Sequence, residues 1–293
     1  MKTVSEEGQT VSIGPGALYV VATPIGNLED LSPRACAVLK VVDTILAEDT
    51  RMSQRLLRAY GISKPLLAYH EHNERQLVNG IVKRLRAGEH IALISNAGTP
   101  LISDPGFHLI RAAHEAGVRL FSVPGPCAAV AALAVSGLPS DRFVFEGFLP
   151  AKMSARQRYL QDLRQEPRTM IFYETPHRLL SSLTDMAVVF GPARRACLAK
   201  EITKVHETIY VNALEGITKW LEEIEERQKG EFVIVVEGLH PDEKAREEQK
   251  AQAVLEVLLK YLPLSQASAA AAEITGIPKN MLYRLAIEIK TGR

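Results

Sequence analysis

Short apolar runs bounded by turn-forming residues recur through the first half of the chain, and a stretch of helical spacing follows most of them. Leu18–Ala22, Asp43–Ala47, Leu66–Tyr69, Ile91–Ile94 and Arg119–Val123 are rich in branched side chains. That pattern predicts parallel strands alternating with helices, with Ile91–Ile94 and Arg119–Val123 buried. Ser32-Pro33 reads as the cap and first turn of a helix running through Lys40, and Asp104-Pro105-Gly106 predicts another start, with Asp104 as N-cap and Pro105 at the first helical position. In the second half, Phe143–Phe148 reads as a strand leaving the first domain, and Lys152–Arg168 as a charge-rich helix. Thr169–Tyr173, Cys197–Lys200, His206–Val211 and Glu231–Glu237 read as further strands, with a helix over Leu214–Glu226 and a helix start at Glu174-Thr175-Pro176-His177-Arg178. Strands grouped with fewer helices predict an α+β second domain with a mixed sheet.

Three of the strand ends in the first half are followed by loops of small or ring-closed residues. They are Thr23-Pro24-Ile25-Gly26-Asn27-Leu28, Ser95-Asn96-Ala97-Gly98-Thr99-Pro100 and Pro124-Gly125-Pro126-Cys127-Ala128-Ala129. Small side chains are expected to leave backbone polar groups open, and Gly98 admits dihedrals closed to other residues. Such loops at the carboxyl ends of parallel strands are where open α/β sheets bind ligands. Each alone is equally a plain strand–turn–helix link; three meeting along one sheet edge favour a ligand site. No G-x-G-x-x-G or Walker sequence supports a dinucleotide or P-loop reading.

Charge adds two strand-end clusters, Glu48-Asp49-Thr50-Arg51 and Lys200-Glu201. The alternative for the first is that Asp49 or Thr50 caps a helix while Glu48 and Arg51 are solvated. His70-Glu71-His72-Asn73-Glu74 fits no zinc spacing and reads better as a helix start, so no metal is expected. At 293 residues with 46% hydrophobic content, two domains are expected. The 35 basic and 34 acidic residues nearly cancel, so any nucleic-acid contact must come from a local patch. Cys36, Cys127 and Cys197 are odd in number and scattered, as suits a reducing cytoplasm. The polar start is no signal peptide and no apolar run approaches spanning length, which together predict a soluble cytoplasmic protein without a membrane partner. The charged stretch His240–Gln249 is a linker or an exposed helix. Beyond it, Ser265–Ile274, Gly276 and Pro278–Ile289 form a helix, a turn and a second helix, resembling a nucleic-acid-binding unit or, equally, a packed helical hairpin. The expected division is a flexible N-terminus at 1–16, an α/β domain at 17–147, an α+β domain at 148–239, and a linker with helical tail at 240–293.

The ordered motifs Leu18-Tyr-Val-Val-Ala-Thr-Pro-Ile-Gly-Asn-Leu-Glu-Asp, Ala47-Glu-Asp-Thr-Arg, Ala97-Gly-Thr-Pro-Leu-Ile-Ser-Asp-Pro-Gly, Pro124-Gly-Pro-Cys-Ala-Ala and Phe172-Tyr-Glu-Thr-Pro-His-Arg resemble the RsmI family. Gly137-Leu-Pro-Ser-Asp-Arg-Phe and Glu146-Gly-Phe-Leu-Pro-Ala-Lys add to the match. These are ribosomal RNA small-subunit methyltransferases of the tetrapyrrole-methylase superfamily. Asn96 stands where the family commonly has an acidic residue; it keeps the hydrogen-bonding reach and loses the charge. The resemblance implies a two-domain α/β, class III methyltransferase fold with a helix-turn-helix-like tail. It also implies S-adenosylmethionine held in the cleft between domains, 2′-O-methylation of a cytidine ribose in the decoding region of 16S rRNA, and a homodimer. By motif, the cofactor walls would include Pro24, Gly98, Thr99, Pro100 and Ile102, then Ala128 and Ala129, then Tyr173, Ala199 and Phe232.

A ribose hydroxyl is a poor nucleophile until its proton is taken. Glu48, Asp49 and Arg51 are therefore expected to supply acid/base and phosphate-orienting chemistry, with Lys200 and Glu201 facing them; His72, Asn73 and Glu74 are a second set. Candidate RNA contacts are Arg156, Arg178, Lys279 and Arg284. Two competing readings remain at this stage: methylation of a small tetrapyrrole, and an RNA-binding protein that retains the fold without catalysis.

Overall fold

The structure, a computed structural model, describes residues 3–4, 11–12, 16–239 and 243–291, with side chains over 16–239 and 250–289. Thr3–Val4 pairs antiparallel with Val11–Ser12; the rest of the N-terminus expected to be flexible lies outside the described residues.

The first sheet is all-parallel. Its strands are β1 (Ala17–Val21), β2 (Thr44–Ala47), β3 (Leu66–Ala68), β4 (His90–Ile94) and β5 (Arg119–Val123), in the order β3-β2-β4-β1-β5. The period-2 alternation sorts side chains to two covered faces. Tyr19, Val21, Ile45 and Ile94 pack on Val38 and Leu39 of helix α1 (Pro33–Val41) and on Leu57 of α2 (Thr50–Ala59). Leu18, Leu46, Ile91 and Leu93 pack on Ile81 and Leu85 of α3 (Glu74–Arg86) and on Leu109 of α4 (Phe107–Glu115). Ser32 caps α1 by accepting from the Ala35 N–H at 3.1 Å. The expectation that Arg119–Val123 is buried is corrected: β5 is an edge strand, and Phe121 is 41% exposed. Position in the sheet, not apolar content, decides that.

Asp104 does not cap a helix. Helix α4 starts at Phe107 behind Gly106, whose φ is 137°. Leu101 and Ser103 take left-handed backbone conformations, with φ of 72° and 67°, which winds the chain before the helix. The Gly106 N–H donates to the buried Glu74 carboxylate at 3.1 Å, pinning that turn from behind.

The second sheet is mixed. It consists of β6 (Phe143–Phe148), β7 (Thr169–Glu174), β8 (Arg195–Lys200), β9 (Thr208–Ala213) and β10 (Phe232–Val236), in the order β9-β8-β10-β7-β6. Only β6 and β7 are parallel; the other pairings are antiparallel. Thus β6, expected to leave the first domain, already belongs to the second sheet. Helix α6 (Met153–Asp162) stops at Asp162, short of the expected end at Arg168. One face of this sheet packs on α7 (Leu179–Phe190) and α8 (Leu214–Glu223). The other takes Ala129, Ala132 and Leu133 of α5 (Ala128–Val135), so the helix after β5 joins the two sheets.

A separate C-terminal unit, Gly238–Arg293, contains α9 (Glu243–Leu258), α10 (Leu264–Thr275) and α11 (Lys279–Thr291). Most of the charged stretch His240–Gln249 is therefore helix. Leu255, Ala271, Leu282 and Ala286 form the unit's own core, and left-handed Gly276 makes the turn before α11. Among the described residues, no helix is long and apolar enough to cross a membrane.

Candidate active site

The carboxyl ends of β4, β1 and β5 lie side by side, and the three small-residue loops meet there. Thr23 and Gly98 form an antiparallel bridge, each N–H donating to the other's carbonyl at 2.9 and 3.0 Å. Thr99 Oγ1 donates to the Pro126 carbonyl at 2.9 Å. The backbone of Gly98 is therefore spent on stitching the loops rather than left open; its φ of 82° is what permits the bridge.

Between this edge and the second sheet lies a cavity of about 340 Å³, at the lower end of the range for small-molecule sites. Gly98, Thr99, Ile102, Ala128, Tyr173, Ala199 and Phe232, all expected from the sequence, line it. Pro24 and Pro100 are buried and do not line it, and Ala129 reaches it only through its N–H, which donates to the Tyr173 hydroxyl at 3.1 Å. Burial pushes that phenol well above its usual range. Cys127 forms no side-chain cap on α5, so the positive end of the helix opens beside Cys127 and Ala128. Beside the cavity the two halves pack directly: a Cβ on Gly26 would lie 2.5 Å from Lys204 Cγ and 2.8 Å from Thr203 Oγ1.

The sequence reading missed Asp104. The wound turn at 101–104 aims this residue at the cavity, where burial pushes its carboxyl up to about 6, a hydrogen bond with Ser95 opposes the shift, and Glu48 adds to it. Asp-Pro-Gly is also an ordinary helix-start signal, so nothing local distinguished the two roles. Among the described residues, the non-glycine left-handed positions are Leu101, Ser103, Glu201 and Thr203. These two strained segments flank cavity-lining residues in the two halves, Ile102 and Ile202, where strain is commonly stored.

The charged strand-end candidates stand just outside the cavity. Asp49 caps α2, with Oδ1 accepting from the Arg51 and Met52 N–H groups at 2.8 and 3.2 Å. Arg51 is exposed. Lys200 Nζ donates to the Glu226 carbonyl at 2.7 Å, and Glu201 is ion-paired to Lys204 at 2.9 Å while accepting from the Glu231 N–H at 2.8 Å. His72, Asn73 and Glu74 sit at the start of α3, and among the described residues no cluster of His, Cys, Asp and Glu could hold a metal ion.

Asn96 ties the two loops together. Its Nδ2 donates to Glu48 at 2.9 Å, and its Oδ1 accepts from the Asp49 N–H at 3.1 Å. A carboxylate could make only the second bond. Asn96→Asp is therefore expected to cost about 1–2 kcal/mol at pH 8 and less at pH 5, where one acid of the new pair holds a proton. Urea denaturation at both pH values checks this; equal losses would overturn it.

Two expected RNA contacts are corrected. Arg156 has a side chain only 5% exposed and pairs with Asp185 at 2.6 Å. Arg178 is turned inward onto Glu174 at 3.2 Å and onto the Leu149 carbonyl. Lys279 and Arg284 are exposed on α11.

The parallel sheet with helices on both faces, the mixed sheet beside it and the cavity between them define a class III methyltransferase fold. Over residues 17–218 the chain matches the family described as Tetrapyrrole (Corrin/Porphyrin) Methylases, and over 245–290 the RsmI C-terminal HTH domain. It is 54% identical over 274 residues to Ribosomal RNA small subunit methyltransferase I of Pseudomonas aeruginosa, covering 93% of this chain and 97% of that one. It is 49% identical over 286 residues to the protein of the same name from Escherichia coli O157:H7, covering 97% and 99%. A solved uroporphyrin-III-C-methyltransferase from Thermus thermophilus shares the fold, with a TM-score of 0.53 at 20% identity over 76% of this chain and 94% of that one. The chain belongs to the tetrapyrrole methylase family and, within it, to the ribosomal RNA small subunit methyltransferase I family.

Proposed function

We propose that the protein uses S-adenosylmethionine to methylate the 2′-oxygen of a cytidine ribose in the decoding region of 16S rRNA, in the small ribosomal subunit. The observation that carries this reading is the cavity, which offers one carboxylate without an ion-pair partner among the described residues. Of its three lining carboxylates, Glu174 is paired with Arg178 and Glu231 with Lys204, while Asp104 is left to meet a ligand.

The residues present fit the cofactor. The open N-terminus of α5 at Ala128 suits its carboxylate, and Ile102, Phe232 and Val233 give apolar walls for a flat base. When bound, S-adenosylmethionine supplies a methyl group on a positively charged sulfur, already activated for displacement. The protein's part is to hold the ribose oxygen in line and take its proton. Asp104 accepts that proton: its position in the turn reaches the cavity, and a carboxyl at about 6 is ionised yet basic near neutral pH. Glu48 acts through Asp104 and Asn96. Asp49 sets the start of α2, and Lys200 and Glu201 hold the 200–204 segment in its strained form, so these three are positioning residues. Arg51, Lys279 and Arg284 are left for phosphate. A homodimer belongs to the same proposal and is checked by light scattering.

Labelled S-adenosylmethionine, incubated with undermethylated small subunits and followed by alkaline digestion, tests the reading. A ribose methyl blocks cleavage at its own linkage, so label is expected in a dinucleotide. Label in a mononucleotide would place the methyl elsewhere, and no transfer would favour the non-catalytic reading. Transfer to a tetrapyrrole instead would favour the small-molecule reading.

A further inference from the structure

We propose that the outer face of α2 is a docking surface for the phosphate backbone of the RNA substrate, an assignment that rests on the function proposed above. The buried side of this helix carries Ser53 and Leu57, and its exposed side carries Arg51, Arg55 and Arg58. Their spacing of four and three residues places the three guanidinium groups on one stripe, spanning about 10 Å at 1.5 Å per residue.

A charged helical face is usually just solvated, and in this protein such faces show what that looks like. Arg111 pairs with Glu115, Lys219 with Glu215 and Arg227 with Glu223, each one helical turn apart. Helix α2 contains no acidic residue at all, and among the described residues none of its three arginines has an ion-pair partner. In a chain whose net charge is only +1, three adjacent guanidinium groups on one helical stripe are a local concentration. The acids beside this helix lie at its two ends: Asp49, whose carboxylate is taken up in capping the first turn next to Arg51, and Glu29 and Asp30, which act on Tyr60 at the C-terminal end. Arg55 and Arg58, exposed and away from the Asp49 cap, are the pair the test removes. Guanidinium forks match phosphate oxygens bidentately, which makes a polyanion the fitting partner.

Placement ties the stripe to catalysis. The Asp49 N–H at the head of α2 bonds to Asn96, the residue before Ala97 in the cavity wall. The stripe therefore begins beside the cavity mouth and leads away from it. A strand held there would keep its ribose near the site while the flanking phosphates lie on the helix.

The test is the double variant Arg55→Gln/Arg58→Gln in the full chain, with Lys83→Gln/Arg86→Gln as a control of equal charge loss. The control residues are exposed at the end of α3. Helix α3 packs on the opposite face of the parallel sheet from α2. The probe is an unmethylated small-subunit rRNA transcript, titrated at several salt concentrations. The α2 variant is expected to lose roughly tenfold or more in RNA affinity and to flatten the log–log salt slope by roughly 1.4–1.8 for two lost phosphate contacts. Its affinity for S-adenosylmethionine, read by calorimetry, should be unchanged, and the control should stay within about twofold of the unmodified protein in RNA affinity, its charges lying beyond the contact. An α2 variant equal to the unmodified protein in affinity and slope, or a control that weakens as much, overturns the proposal. If the unmodified protein neither binds this RNA nor methylates small subunits, the functional reading itself falls.

Discussion

Asp104→Asn is expected to make the protein more stable above pH 7 while slowing methyl transfer by about 10²–10⁴-fold, the usual worth of a positioned general base. The stability gain follows from the raised carboxyl. In the folded chain it titrates at about 6, against about 3.9 for an unfolded aspartate. The folded state holds this proton more tightly, so stability declines as pH rises between those two values and the full cost is present above them. Two pKa units correspond to about 3 kcal/mol; the carboxyl is only partly buried, and solvent screening brings the expected gain to about 1–2 kcal/mol. Asparagine keeps the shape and has no charge to desolvate. Urea denaturation of both proteins should show the variant ahead at pH 8 and level with the unmodified protein at pH 4. For the unmodified enzyme, single-turnover transfer should fall below pH 6 as Asp104 takes up its proton. Unchanged transfer in the variant would remove Asp104 from the chemistry.

Arg156→Ala is expected to cost about 3–5 kcal/mol, because it leaves the Asp185 carboxylate buried without its ion pair. Asp185 bonds the Arg156 guanidinium at 2.6 Å and the Gln157 amide at 2.7 Å, joining α6 to α7 behind the second sheet. Both side chains of the pair are less than a tenth exposed. Replacing the two together, as Arg156→Met/Asp185→Leu, should recover most of the loss, since no charge then remains to be desolvated. Urea denaturation measures both. RNA affinity per folded molecule should not change in either variant; a loss in the double variant would return Arg156 to the RNA surface.

Helix α6 shows why charge read along a chain misleads. Basic residues on helices look alike in the sequence, yet Arg156 faces Asp185 from inside the protein, while Arg55 and Arg58, on α2, are exposed and have no ion-pair partner among the described residues. A partner 29 residues away decides the first case, and no local pattern carries that information. The turn at Asp104 makes the same point. Asp-Pro-Gly at a helix start is a sound local signal, but Glu74, on another helix, claims the Gly106 N–H. The left-handed Leu101 and Ser103 then bring the aspartate to the cavity wall.

What the amino-acid order determined by itself was whatever depends on neighbours in sequence. That includes the short apolar strands of the parallel sheet, the Ser32 cap, the small-residue loops after β1, β4 and β5, and the helix–turn–helix of the C-terminal unit. Strand periodicity and turn chemistry act over a few residues, so they can be read directly. Tertiary structure decided which strand lies at the sheet edge, which sheet claims Phe143–Phe148, which carboxylate reaches the cavity and which arginines are turned inward into ion pairs. Those outcomes turn on desolvation and on the pairing of groups far apart in the chain, and such energies exist only once folding has brought the groups together.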